Sequence, residues 1–306
     1  MSVRSVIRRF SLCFTPFSYI AVLLLQSTAV GQSQVIHDSI LVDGRYRTFH
    51  YQQPAASPRP EWLLFMLHGS GGSGLGKMSE TSSIQAIAAS EKFIAVYPDG
   101  YLHFWNECRK SATSAANLEN IDEGTFFRAM ISKLSKRYGA DSNSAVAIGF
   151  SGGGHMAYKL ALTMPDKFKA VTAIVANLPD SSNMDCTESR VPVSVMIVNG
   201  TNDQVSPYNG GEIKAAGVTL GWVRSTDETF KYWSALAGYS GTPEKDMMPD
   251  NDTTNATTIE RYRYRSQGKP EVTLLKMING THQDPKDLDI YLEAWQFLKR
   301  QLPSKH

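Results

Sequence analysis

Short stretches in which nearly every residue is apolar recur along this chain, and each runs into glycine or a polar turn. They are Trp62–Leu67, Phe93–Tyr97, Ala145–Ile148, Val171–Val175, Val193–Val198 and Val272–Ile278. A strand with one wet face alternates apolar and polar residues, whereas a strand apolar throughout is covered on both sides. Between these runs lie segments with helical period. In residues 121–138, Phe127, Met130, Ile131 and Leu134 fall at i, i+3, i+4 and i+7. Segments 84–89, 156–164 and 288–298 also read as helices, and Ser225 with Glu228 forms a capping box for a helix through Leu236. Strands alternating with helices predict an α/β fold: a mostly parallel central sheet with helices on both faces. Two further strands, 35–41 and 46–52, flank the hairpin signal Asp43-Gly44. Residues 259–264 read as a late strand, and the polar stretch 241–258 as a surface loop.

The 306 residues are expected to form one domain after an export segment. Arg4, Arg8 and Arg9 precede an apolar run ending in Leu25, and Ala29-Val30-Gly31 offers small residues before a cut at Gln32. Residues 1–31 are therefore expected to be a signal peptide and residues 32–306 the mature domain, secreted or periplasmic and without stable membrane insertion. A formal charge of +2, from 31 basic and 29 acidic residues with no basic stripe, argues against a nucleic-acid partner. Loss of the leader removes Cys13 and leaves Cys108 and Cys186, which an oxidising compartment allows to pair or to remain separate thiols. Sequons stand at Asn199, Asn251, Asn255 and Asn279; those at Asn199 and Asn279 close core strands and are expected to stay unused.

The chemistry is concentrated at Gly149-Phe150-Ser151-Gly152-Gly153, a G-x-S-x-G sequence placed after a strand and before a helix. A serine on so sharp a turn projects its hydroxyl above the sheet, and glycines beside it let helix and strand approach closely. The N–H of Gly152 then faces the position of a forming oxyanion. A second donor is expected from the loop Leu67-His68-Gly69-Ser70-Gly71-Gly72, with Ser70 as the candidate and His68 pinning the loop. Downstream, Asp203 and His282 each lie just past a strand end, in Val198-Asn199-Gly200-Thr201-Asn202-Asp203 and Ile278-Asn279-Gly280-Thr281-His282. All three groups therefore belong to the carboxyl edge of the sheet, where ligands bind in open α/β folds. The order predicts Ser151 as nucleophile, His282 as base and Asp203 as the group orienting its imidazole.

Other histidines fit less well. His155 is inside the helix after the elbow, His37 and His50 are in the hairpin, and His103 is in a loop beside the site. Asp99, in Tyr97-Pro98-Asp99-Gly100, reads as a turn former. No residues have metal-ligand spacing and no phosphate-cradling motif follows the early strands, so no metal or cofactor is expected.

Several motifs in order resemble the polyhydroxybutyrate depolymerase and feruloyl esterase family, the secreted α/β-hydrolases of carbohydrate esterase family 1 and its relatives. They are Leu67–Gly74, Tyr97-Pro98-Asp99-Gly100 with Trp105-Asn106, Ile121-Asp122-Glu123, Gly149–Gly153, Asn199–Tyr208 and Asn279–His282. The resemblance runs from about Gly44 to Gln301 and implies a serine esterase with Asp203 and His282 at the acid and base positions. The chain departs from the family pattern at Gly152, where asparagine is common, at Asn199, where histidine is usual, and at Gln283-Asp284-Pro285, where a Trp-Pro pair often follows the base.

The stretch 204–224 leaves no room for a long apolar lid, so the site is expected to be open, suiting an ester carried on a polymer: a feruloyl or acetyl polysaccharide ester or a polyhydroxyalkanoate. Tyr101, Phe104 and Trp105 form an aromatic cluster aimed at the same edge, available to stack on an acyl group or sugar, with Trp105 equally suited to plug the core. A peptidase or thioesterase of the same fold, and a catalytically silent binding protein, are the alternative readings.

Overall fold

A computed structural model describes residues 34–54, 59–215 and 218–303; the expected leader lies outside the described residues. The hairpin comes first, as β1 (Val35–Val42) and β2 (Arg45–Gln52). The sheet then builds through β3 (Trp62–Leu67), α1 (Gly74–Glu80), α2 (Ser82–Ile87), β4 (Phe93–Pro98), the short α3 (Ala115–Leu118), α4 (Glu123–Tyr138), β5 (Ala145–Phe150) and α5 (Gly152–Thr163). It continues with β6 (Phe168–Ile174), β7 (Ser194–Gly200), β8 (Gly211–Ala215), β9 (Val218–Val223) and α6 (Thr226–Leu236). The chain closes with β10 (Glu244–Met247), β11 (Thr258–Tyr264), β12 (Val272–Ile278) and α7 (Ile290–Lys299).

Ten of these strands form one sheet in the order β1-β2-β4-β3-β5-β6-β7-β12-β11-β10. The central pairs from β4 to β12 are parallel, and antiparallel strands complete each edge. Residues of one strand alternate between two cores. Leu63, Phe65 and Leu67 pack with Phe127, Met130 and Leu160 from α4 and α5. Trp62, Leu64 and Met66 pack with Met78 of α1 and with Trp295 and Leu298 of α7. Helices thus cover both faces, as uniformly apolar strands require.

Helix α4 is bounded by chemistry visible in its sequence. Asp122 accepts from Thr125 N at 2.9 Å at its start, and Gly139 ends it in the left-handed region at φ 83°. The capping box at Ser225 and Glu228 opens α6.

The structure corrects two expectations and adds an element. Residues 241–258 are not all loop, because β10 pairs with β11 there. Its residues are all exposed and it is held by Lys245–Glu260, Arg263–Glu244 and Arg261–Asp246 ion pairs, so it lacks the apolar pattern that marks a strand. The stretch 204–224 carries a separate hairpin, β8–β9. Asn199 is buried, but Asn279 is exposed beyond the end of β12, with Nδ2 donating to the Ala256 carbonyl at 2.8 Å.

Candidate active site

Ser151 sits between β5 and α5 at φ 52°, ψ −117°, a backbone conformation that costs a non-glycine residue on the order of 1–3 kcal/mol. Its surroundings enforce the turn. Its N–H donates to the Ile174 carbonyl at 2.8 Å, and a Cβ on Gly149 would collide with the Gly153 carbonyl. A Cβ on Gly153 would strike the Leu67 carbonyl, so α5 crosses β3 with backbone against backbone.

Asp203 and His282 leave neighbouring parallel strands, β7 and β12, and their loops are joined. Thr201 N donates to the Met277 carbonyl at 2.9 Å, and Asn202 N to the Gly280 carbonyl at 2.8 Å. Asp203 is buried; its Oδ1 accepts from the N–H groups of Val205 and Ser206, each at 2.8 Å, and its Oδ2 is 2.7 Å from His282 Nδ1. His282 Nε2 lies 2.9 Å from Ser151 Oγ. With Nδ1–H donating to the carboxylate, Nε2 presents its lone pair to the serine hydroxyl.

Gly152 begins α5, so its N–H belongs to the first helical turn, which has no acceptor inside the helix and carries the positive end of its dipole. A Cβ added at Gly152 would lie 3.0 Å from Ser70 N and still closer to Ser70 Oγ, so the structure brings these two residues together. The loop bearing Ser70 is pinned by His68. Gly100 N donates to His68 Nε2 at 2.9 Å, which leaves Nδ1–H to donate to the Gly69 carbonyl at 2.7 Å. Burial lowers the pKa of this ring, in keeping with a neutral imidazole that accepts at one nitrogen and donates at the other. Trp105 Nε1 donates to the His68 carbonyl at 2.9 Å, and Gly71 N to the His103 carbonyl at 2.9 Å.

The aromatic cluster divides. Phe104 is 36% exposed and lines a cleft of about 600 Å³ beside Ser70 and Gly152. Trp105 also lines that cleft but is only 3% exposed, its ring tilted against those of His68 and Phe127, so most of it packs in the core. Tyr101 faces elsewhere: Arg45 covers its ring at 5.5 Å and its hydroxyl donates to Glu119 at 3.1 Å. Tyr101, expected from the sequence to stack on substrate, is not among the residues lining this cleft. The distant residues Arg45 and Glu119 draw the side chain outward.

The sequence reading missed the rest of the cleft: the buried ion pair Glu107–Arg109, residues 112–115 with Asn117, and Leu220 of β9. Asn183 joins these walls. Its carbonyl accepts from Lys110 N at 2.7 Å, its Oδ1 from Ser111 N at 2.8 Å, and its Nδ2 donates to the Trp222 carbonyl at 3.0 Å. Cys108 and Cys186 are bonded beside it, with Cα atoms 5.0 Å apart. Asp99 also does more than turn the chain. It accepts from Gly74 N at 2.7 Å, from the Thr48 hydroxyl at 2.7 Å and pairs with His50 Nε2 at 2.9 Å. Burial alone would raise its pKa, but these hydrogen bonds outweigh burial and hold it at about 2. His155 is buried under the elbow, and burial, with Arg109 and His282 nearby, lowers its pKa well below the usual histidine value. Among the described residues no cluster of histidine, cysteine and carboxylate groups could hold a metal.

A central parallel sheet with a serine elbow at its carboxyl edge defines the α/β-hydrolase fold, and acetyl xylan esterase from Aspergillus awamori shares it. That structure superposes with a TM-score of 0.57 at 16% identity, covering 86% of this chain and 99% of the other. The chain belongs to the phospholipase/carboxylesterase family, whose pattern matches residues 53–232. Among similar proteins, the esterase NocK of Nocardia uniformis subsp. tsuyamanensis is 30% identical over 177 residues, 56% of this chain and 49% of that protein. Feruloyl esterase C of Emericella nidulans is 29% identical over 158 residues, 50% of this chain and 53% of that protein. The chain thus spans about half the length of the curated relatives it matches.

Proposed function

We propose that this protein is an exported carboxylic-ester hydrolase in which Ser151 attacks the ester carbonyl and His282 takes the serine proton. The observation that carries this reading is the continuous hydrogen-bonded chain from Ser151 Oγ through the His282 ring to Asp203. Asp203 is ready for its part: two backbone N–H groups fix one of its oxygens, so the other is aimed at Nδ1 and compensates the imidazolium as it forms. The N–H groups of Gly152 and Ser70 receive the oxyanion. As the tetrahedral species collapses, the bond from carbonyl carbon to alcohol oxygen breaks and the proton on His282 Nε2 passes to the departing alcohol. Water then adds to the acyl-serine with His282 as base, releasing the acid and restoring the hydroxyl. No cofactor is needed for either half-reaction.

Residues 1–31 are assigned to a cleaved signal peptide, leaving residues 32–306 as one catalytic domain. The open cleft and the relatives named as feruloyl esterase C support an ester attached to a polymer, either a feruloyl or acetyl polysaccharide ester or a polyhydroxyalkanoate.

The test is to measure initial rates of the mature protein and its Ser151→Ala variant on short-chain nitrophenyl esters, methyl ferulate, acetylated xylan and a short-chain polyhydroxyalkanoate. Activity is expected for the mature protein and a loss of at least about a thousandfold for the variant, with the fold retained. A variant as active as the parent would overturn the role given to Ser151.

A further inference from the structure

An ester has two ends, and two clefts of contrasting character meet at the Ser70–Gly71 turn. The larger, already described, lies on the Gly152 side. The second, of about 350 Å³, lies on the Phe150 side, against α1, and is lined by Ser73, Lys77, Glu80, His103 and Phe150 together with the glycine-rich loop. Its charged groups are built in rather than scattered. Lys77 is only 4% exposed, with its ammonium 2.6 Å from Glu80 Oε2, 3.0 Å from Tyr291 Oη and 5.0 Å from the centre of the Phe150 ring. The Glu80 side chain is 60% exposed and held in place by that pair, so it offers an oriented carboxylate to the cleft. His103 also lines this cleft, with Nδ1 2.9 Å from the Gly72 carbonyl.

The chemistry of the reaction distinguishes the two clefts. The departing alcohol must take its proton from His282 Nε2, so it leaves on the histidine side of the serine. The His282 ring packs edge-on against Phe150 at 5.8 Å, and Phe150, whose ring also rests on the apolar core, lines this polar cleft. The acyl group, opposite, faces Gly152 and the larger cleft with Phe104 and Leu220.

We infer that the polar cleft between the glycine-rich loop and α1 is the alcohol site, and that Glu80 makes it selective for an alcohol bearing further hydroxyl groups, such as a sugar. This rests on the esterase reading above. Hydroxyl donors of a polyol satisfy the carboxylate, whereas a simple alkyl alcohol leaves it hydrated and gains nothing from it.

Two esters of one acid isolate the alcohol: ethyl acetate and a monoacetylated xylose, assayed with the mature protein and with Glu80→Gln and Glu80→Ala. Loss of a hydrogen bond to a charged group is expected to lower kcat/KM for the xylose ester roughly tenfold, chiefly through KM, while ethyl acetate stays within about twofold. Free methyl xyloside should inhibit ethyl acetate hydrolysis competitively in the parent and more weakly in the variants. Equal effects on both esters, or none on either, would overturn the assignment of this cleft. Failure of the folded parent on both acetates and on the nitrophenyl, feruloyl and polyester substrates above would instead remove the esterase reading beneath it.

Discussion

The hydroxyl of Tyr291 lies 3.0 Å from the buried ammonium of Lys77, and it joins a helix and a loop far apart in sequence. It donates in turn to Asp284 Oδ2 at 2.8 Å, two residues beyond His282. The helix that follows the glycine-rich loop is thereby tied to the loop that carries the imidazole. Tyr291→Phe keeps the ring, which stands 5.1 Å from the ammonium, but removes the acceptor from Lys77. It is expected to cost about 1–3 kcal/mol in urea unfolding and to lower kcat with little change in KM.

The placement of Ser70 against Gly152 leads to a different expectation. The donor assigned to Ser70 is its backbone N–H, so Ser70→Ala should retain kcat within about threefold. A loss of 10²–10³, the usual effect of deleting an oxyanion donor, would transfer the role to the hydroxyl. Steady-state rates on a nitrophenyl ester decide between them.

Asp99 links stability to acid. Its pKa in the folded protein, about 2, is below the 3.8 of an unperturbed aspartate, so its hydrogen bonds to Gly74, Thr48 and His50 stabilise the fold above pH 4. That contribution disappears as pH falls through 4 toward 2, because the proton then binds the unfolded chain first. Asp99→Asn should therefore lose on the order of 2 kcal/mol at neutral pH, and the gap to the parent should close toward pH 2. Urea unfolding at several pH values measures the gap.

The bond between Cys108 and Cys186 spans 78 residues of sequence. Closing so long a loop restricts the unfolded chain, and its removal is expected to cost about 2–5 kcal/mol. Because Glu107 and Arg109 flank Cys108 in the larger cleft, the Cys108→Ser/Cys186→Ser protein should also bind esters with bulky acyl groups more weakly. Thermal melts and KM values for acetyl and feruloyl esters with the same alcohol test both effects.

The residues most legible in the sequence are those whose place is fixed by the sheet. Ser151, Asp203 and His282 each follow a buried strand, and parallel strands deliver their carboxyl ends to one edge, so the elbow motif, the chain order and the ends of the apolar runs together placed them at that edge. Trp105 and Tyr101 show where such reasoning stops. A loop's position follows from its strands, but the direction of its side chains depends on partners elsewhere, here His68 for Trp105 and Arg45 with Glu119 for Tyr101. Strand β10 was hidden because charges hold it in place of apolar contacts. Arg109 and Leu220 were hidden because no local pattern says that two loops will face each other across a cleft.

The junction at Asn183 separates two kinds of constraint. The reactive groups hang from strand ends, where any displacement is felt through the whole sheet. Much of the wall of the larger cleft is tied through Asn183 and one pair of sulfurs, on connections outside the sheet. A lineage carrying this scaffold is therefore free to reshape that cleft, by lengthening or trimming those connections, while the contacts among Ser151, His282 and Asp203 are left in place.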